Sequence, residues 1–293
     1  MDIAVPKGAS IEAHGRYGDF DITGVSGNIS IESDNAGVRL SDIGGSVSVE
    51  TRRSDIVRVV GVKGNVELRG AGWDIELDTI QGLATVNGTY TGDKLFRRLA
   101  QPLRYDTPTT ELRVERTPGQ ISISRGDFTA SGLAGPFLLK TRSTDVELYD
   151  FQGPAEVNLE HGDIEIRPAA ALGGKFDLRT RAGDIRLSLP ETAQFDLRAE
   201  TRRGEIDNEW NGSARVTEEG RRRTIALQVG TGPVVNAVTD RGSVVLRKGS
   251  ASEPPPPPKP PKAPSRRRSK VRWRSCRGQA HFPPARGDRL HAK

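Results

Sequence analysis

The sequence predicts an all-β fold: a flattened β-solenoid with about two short strands per turn, followed by a disordered C-terminal tail. Three observations carry that expectation. Apolar pairs recur at a near-constant interval, glycines recur at twice that interval, and a proline run ends the pattern.

The repeating phrase is a turn residue, a polar residue, and then an apolar, any, apolar triplet; such period-two alternation marks a strand with one buried face. In the first array the pairs are Ile29 and Ile31, Val38 and Leu40, Val47 and Val49, Val57 and Val59, Val66 and Leu68, Ile75 and Leu77, and Ala84 and Val86, with first members 9, 9, 10, 9, 9 and 9 residues apart. A second array begins at Leu112 and Val114 and continues through Ile121, Phe128, Phe137, Val146, Ala155 and Ile164, at a period of nine apart from one step of seven. Later strands at Phe176, Ile185, Phe195, Ile206, Ile225 and Val244 keep the phrase with longer turns. Only "GDKLFRRLA" at 92 to 100 hints at helical spacing.

Gly27, Gly45, Gly64 and Gly82 are separated by 18, 19 and 18 residues, and Gly135 and Gly153 by 18, so one turn is two strands and two tight corners. Each strand offers two inward side chains, about 1.5–3 kcal/mol apiece when buried, against an ordering cost of about 1–2 kcal/mol per backbone residue. No coil stands alone, and stability must come from stacking neighbours.

"ETRRGEI" at 200 to 206 has near copies in "ETRRSDI" at 50, "KTRSTDV" at 140 and "RTRAGDI" at 179. A phrase written so often is a corner, with Thr as the last outward residue of one strand and the following apolar residue as the next inward one. Arg52, Arg142, Arg181 and Arg202 would then lie along a rim opposite Asp55, Asp145, Asp184 and Glu205. The rim reads either as ion pairs between coils or as an arginine stripe for an anionic glycan.

Between the arrays, "NGTYTGDKLFRRLAQPLRYDTPTT" reads as an interrupting loop, 87–110. Lys94, Phe96, Arg97, Arg98, Arg104 and Tyr105 are candidate contacts there for an anionic polymer or lipid surface. The other reading is a lid over the solenoid flank built from Leu95, Phe96 and Leu99.

Composition bounds the partners. Only 34% of the 293 residues are hydrophobic and 5% aromatic, which suits a thin core. Residues 251 to 293 hold 12 of the 44 basic and 2 of the 38 acidic residues, so the body is about −4 and the tail +10. Nucleic acid could be attracted only weakly, through the tail. The solenoid is expected over 1–249 and the proline-rich basic tail over 250–293, where "PPPPPKPPKAP" forces extended backbone. Cys276 is the sole cysteine and cannot form an internal disulfide. No apolar run approaches a membrane span, and "MDIAVPKGAS" does not read as a signal peptide.

No cofactor or metal is expected. The double glycines at Gly44–Gly45 and Gly173–Gly174 lack the second Asp of a calcium-binding nonapeptide, and His14 and His161 have no ligand spacing to another His or Cys. No nucleophile elbow occurs. The chain reads as non-enzymatic, with a β-helix acting on acidic polysaccharides as the enzymatic alternative.

"VPKGASIEAHGRYGDFDITGVSGNISI", "SGLAGPFLLKTRSTDVELYDFQGPAEVNLEHGDIEI" and "RAGDIRLSLPETAQFDLRAETRRGEIDNEW" together resemble the bacterial adhesin-like β-strand-repeat family, a domain of unknown function, over about residues 3 to 248. The resemblance implies a β-solenoid on exported or envelope-associated proteins, with no catalytic residues to carry over. Against that pattern the chain lacks a signal sequence, and Met1, its only methionine, reads as an internal start; as a true start it would imply a cytoplasmic protein. The function expected is adhesion or polymer binding at the cell envelope. The alternatives are an end-to-end self-associating scaffold of bactofilin type and a regulatory module in envelope stress.

Overall fold

An inward apolar pair every nine residues folds into one rung of a two-sheet stack. The computed structural model describes residues 4–6, 8–168, 172–210 and 213–249; the tail expected over 250–293 lies outside them. The described residues form 22 strands and no helix.

The N-terminal strands are β1 (Ile11–Tyr17), β2 (Phe20–Thr23), β3 (Ile29–Asn35), β4 (Val38–Ile43), β5 (Val47–Val62), β6 (Val66–Ile80), β7 (Ala84–Tyr90), β8 (Lys94–Leu99) and β9 (Leu103–Asp106). Then follow β10 (Thr110–Ile123), β11 (Asp127–Ser143), β12 (Asp145–Gln152), β13 (Ala155–His161), β14 (Ile164–Arg167), β15 (Phe176–Ala182) and β16 (Ile185–Leu189). The last are β17 (Phe195–Thr201), β18 (Ile206–Asn208), β19 (Ser213–Glu219), β20 (Arg222–Val229), β21 (Val234–Arg241) and β22 (Val244–Lys248).

One coil pairs with the next in parallel, 18 or 19 residues on: Ile11 sits beside Ile29, Ile29 beside Val47, and Val47 beside Val66. The first sheet runs β1–β3–β5–β6–β7–β9 and the second β2–β4–β5–β6–β8, so β5 and β6 pass through a corner and serve both. Their inward faces meet in one core, where Val38, Val57, Leu68, Leu77 and Val86 are fully buried. Aromatic pairs fill the middle, with ring centroids 5.9 Å apart for Phe96 and Tyr105 and for Phe128 and Phe137.

The corners explain the repeated phrase. A Cβ on Gly45 would lie 2.4 Å from the Gly27 carbonyl oxygen, and one on Gly82 2.4 Å from that of Gly64, so only glycine lets coils approach this closely. The polar residue after the glycine holds the next coil. Asn28 Oδ1 accepts the Ser46 amide at 2.9 Å, Ser46 Oγ that of Asn65 at 3.2 Å, and Asn65 Oδ1 that of Leu83 at 2.9 Å. Along the opposite corner Asp145, Asp163 and Asp184 accept the amides of Asp163, Asp184 and Ser243 at 2.9, 2.8 and 2.8 Å.

The threonine of the corner phrase points inward, not outward as the alternation suggested. Thr51, Thr141, Thr180 and Thr201 are buried, and Thr180 and Thr201 donate to the carbonyls of Gly162 and Gly242 in neighbouring coils. The turn ahead leaves a carbonyl without a ladder partner, and a hydroxyl at the core margin satisfies it.

A second device escaped the reading by pairs. Strands of the second sheet end in a residue of positive φ followed by a third buried apolar residue: Gly24 then Val25, Asp42 then Ile43, Gly61 then Val62, Thr79 then Ile80, Arg98 then Leu99. Gly132 then Leu133 and Asp150 then Phe151 repeat it. The left-handed step rotates the next side chain back into the core, so that the strand has three anchors rather than two.

Residues 87–110 are not an interrupting loop, and 92–100 is not helical. They complete β7 and form β8 and β9, with Phe96 beside Leu77 and Tyr105 beside Val86 in unbroken register. Lys94 occupies the inward position that an apolar residue holds elsewhere, which hid the repeat.

Two departures from a simple coil follow. First, β10 runs antiparallel to β8, β9 and β11, a reversed coil between two forward stacks. The step of seven from Ile121 to Phe128 is its hairpin, shorter than a solenoid corner. Second, the last coils stack out of chain order: β15 pairs with β21, which pairs with β17, and β16 pairs with β22, which pairs with β18. The antiparallel hairpin of β19 and β20 lies on the outer edge of β17.

Candidate functional site

Most of the cluster expected between residues 94 and 105 is not a surface. Phe96 and Tyr105 are in the core, and burial pushes the Tyr105 phenol up to about 12. Lys94 is buried, its Nζ donates to the Gly92 carbonyl at 2.6 Å, and burial pulls its pKa below the usual lysine value. Arg97 reaches Glu76 at 2.7 Å and Asp78 at 3.1 Å, while Arg98 reaches Asp78 at 2.5 Å. With Arg58 on Glu76 at 3.1 Å these charges form a stitched network across three coils. Arg98 and Arg104 remain exposed; Arg98 is held by its ion pair, while Arg104 lies in a groove of about 490 Å³ shared with Arg113, Lys175 and Glu115.

The arginines of the corner phrase are exposed but do not form a stripe of one sign. Strand register gives the succession Arg142, Glu160, Arg181, Asp240, Arg202 across β11, β13, β15, β21 and β17, each cation flanked by an acid. Arg202 lies 3.4 Å from Asp240. Arg52 stands apart on β5, 3.4 Å from Asp34. The expected partners Asp145 and Asp184 accept backbone amides of the ladder instead.

The alternation breaks at the far end. Thr201 pairs with Arg223 across β17 and β20, so the corner residues Arg202 and Arg203 come beside the hairpin turn Gly220–Arg221. Gly220 has φ of +64°, which a tight hairpin turn requires. Arg203, Arg221 and Arg223, with Gly204 and Gly220, line a concavity of about 430 Å³. Arg203 and Arg221 are exposed. Among the described residues Arg223 has long contacts to Glu205 and Glu218, at 3.7 and 3.6 Å, whereas Arg222 is held by Glu200 at 2.7 Å and points its charge there. Three guanidiniums around a concave floor of glycine backbone match the forked geometry of carboxylate, sulfate or phosphate groups.

Of this pocket, sequence reading found Arg202 alone, at its margin. The signal available was the pair of runs "TRRG" and "EEGRRRT", but only the hairpin folded against β17 brings them together. Among the described residues no three His, Cys, Asp or Glu side chains group as a metal site, and no helix is long and apolar enough to cross a membrane.

Fold and site define the class, a stacked β-solenoid with regular polar faces and a cation-lined pocket at one end. The Toastrack DUF4097 family model matches residues 1–247, and the chain belongs to that family, a domain of unknown function. No curated protein and no solved structure matches it.

Proposed function

We propose that this protein is a non-enzymatic, adhesin-like scaffold of the bacterial envelope that holds an anionic polymer at its arginine-lined end. The observation that carries the reading is the concavity of Arg203, Arg221 and Arg223, where the charge alternation of the corner column gives way to cations. Guanidiniums stay charged at any physiological pH and exchange no protons, so the pocket is suited to holding an anion and not to acid–base chemistry. The envelope location is supported by the resemblance to bacterial adhesin-like repeats.

Binding of polygalacturonate and of neutral dextran to the full chain tests this. Expected is salt-sensitive binding of the acidic polymer alone, lost on joint replacement of Arg203, Arg221 and Arg223 by alanine. Equal binding by that triple variant would refute the pocket, and equal binding of dextran would refute charge as the basis.

A further inference from the structure

The corner that divides β6 carries an indole on its outside. Trp73 is 63% exposed, although it stands within the stack: strand register sets it between Asp55 of the coil before and Thr91 of the coil after, both exposed. Its backbone is fixed. The Gly92 amide donates to the Trp73 carbonyl at 2.9 Å, and Asp74 Oδ1 accepts the Asp93 amide at 2.9 Å. Gly70, Ala71 and Gly72, which precede it, raise no side chain longer than a methyl beside the ring. One exposed apolar side chain is ordinary surface. The rim on which this one stands gives it meaning.

That rim is the one that ends in the arginine concavity. The corners at 70–74 and 202–205 both lead from the first sheet into the second, within β6 in one case and from β17 to β18 in the other. From β6 to β17 the first sheet takes eight strand steps, through β7, β9, β10, β11, β13, β15 and β21. At ~4.8 Å a step, the indole and the arginines lie about 38 Å apart. Between them the same rim holds a concavity of about 310 Å³ lined by Thr107, Thr109, Lys140, Arg142, Asn158 and Glu160.

The chemistry of this track is narrower than that of the arginines. Guanidiniums alone accept any polyanion. An indole face carries partial negative charge and attracts the C–H groups of an apolar ring face, which a sugar has and a phosphate chain lacks. Asp55 beside it, and the hydroxyls and amide of the middle concavity, exchange hydrogen bonds with hydroxyl groups. A carboxylate at that place repels a chain charged at every unit.

We infer that the polymer held at the arginine-lined end is an acidic polysaccharide, and that it runs along this rim to stack a pyranose ring on Trp73. The inference rests on the arginine concavity being a polymer site and adds its chemical class and a second point of attachment.

Calorimetric titration of the full chain with polygalacturonate, trigalacturonate and inorganic polyphosphate tests it. Trp73→Ala should weaken polygalacturonate about fivefold and leave polyphosphate unchanged. Trigalacturonate, too short to span the rim, should bind both proteins alike. If the variant melts earlier than the parent, the indole N–H resonance of Trp73, assigned by its absence in Trp73→Phe, decides: it should move with polygalacturonate and stay with polyphosphate. Polygalacturonate that depends on Arg203, Arg221 and Arg223 but ignores Trp73→Ala would overturn this inference and leave the arginine site standing. Equal weakening of polyphosphate would overturn the ring stacking, and equal weakening of trigalacturonate the span. Binding that needs Trp73 but not the three arginines would refute the pocket and with it the span, and no binding of polygalacturonate at all would overturn both readings.

Discussion

The hydroxyl of Thr201 donates to the carbonyl of Gly242 across 2.8 Å, although the two are 41 positions apart in the chain. The bond joins β17 to the coil of β21 and β22, inserted between β17 and β15. The same contact joins Thr239 to Gly183 at 3.0 Å and Thr180 to Gly162 at 3.1 Å. The corner phrase is therefore a fitting that any two neighbouring coils can use, whatever their order in sequence.

Replacing Thr201 by valine keeps the shape and removes the donor. Thr201 is fully buried, so the Gly242 carbonyl loses its side-chain partner with no water to replace it. A loss of about 1–3 kcal/mol is expected, measured by urea denaturation. An unchanged midpoint would show that the carbonyl finds another donor.

Gly45→Ala should cost more than a loop glycine. Its Cβ would sit 2.4 Å from the Gly27 oxygen, so two coils must part along a ladder that Asn28 and Ser46 hold closed. About 2–4 kcal/mol is expected. Gly18→Ala, where the added carbon meets nothing within 4 Å but φ is +100°, isolates backbone strain from coil spacing.

Asp78 anchors the network that replaced the expected loop. Its carboxylate is 5% exposed and faces both Arg97 and Arg98. Asp78→Ala leaves Arg97 with Glu76 as its one carboxylate and takes the partner of Arg98, and a loss of about 2 kcal/mol is expected. That is less than the roughly 3–5 kcal/mol of a fully buried pair, because Arg98 stays 60% exposed and solvated. Arg104→Ala, on the surface, should change stability by less than about 0.5 kcal/mol.

His14 should titrate above its ordinary 6.5, since its ring bonds Glu12 at 3.2 Å and Glu32 at 3.0 Å, both favouring the imidazolium. Its raised pKa adds stability below the unfolded value. That increment fades as pH rises through the folded value. NMR titration of the ring should show the upward shift, and Glu32→Gln should move it back toward 6.5. A midpoint at or below 6.5 in the native protein would contradict this geometry.

The two-strand turn was legible because its cause is local. Each inward pair such as Val47 and Val49 must alternate with polar residues, and each glycine such as Gly45 must recur where backbones touch. Lys94 broke the signal for one coil, because a lysine whose stem packs inward reads as polar in any pattern. The third anchor after Asp42, Thr79 or Arg98 was hidden, since nothing in those side chains announces positive φ.

By itself the sequence determined an all-β stack, its spacing and the places of its corners, since these depend on residues within one turn. Only the tertiary structure decided that β10 runs backwards, that β21 and β22 slip in ahead of β17 and β18, and that Arg203 meets Arg221 and Arg223. Every coil presents nearly the same edge, so local residues accept more than one neighbour. The choice among neighbours rests on long-range packing that no single repeat encodes.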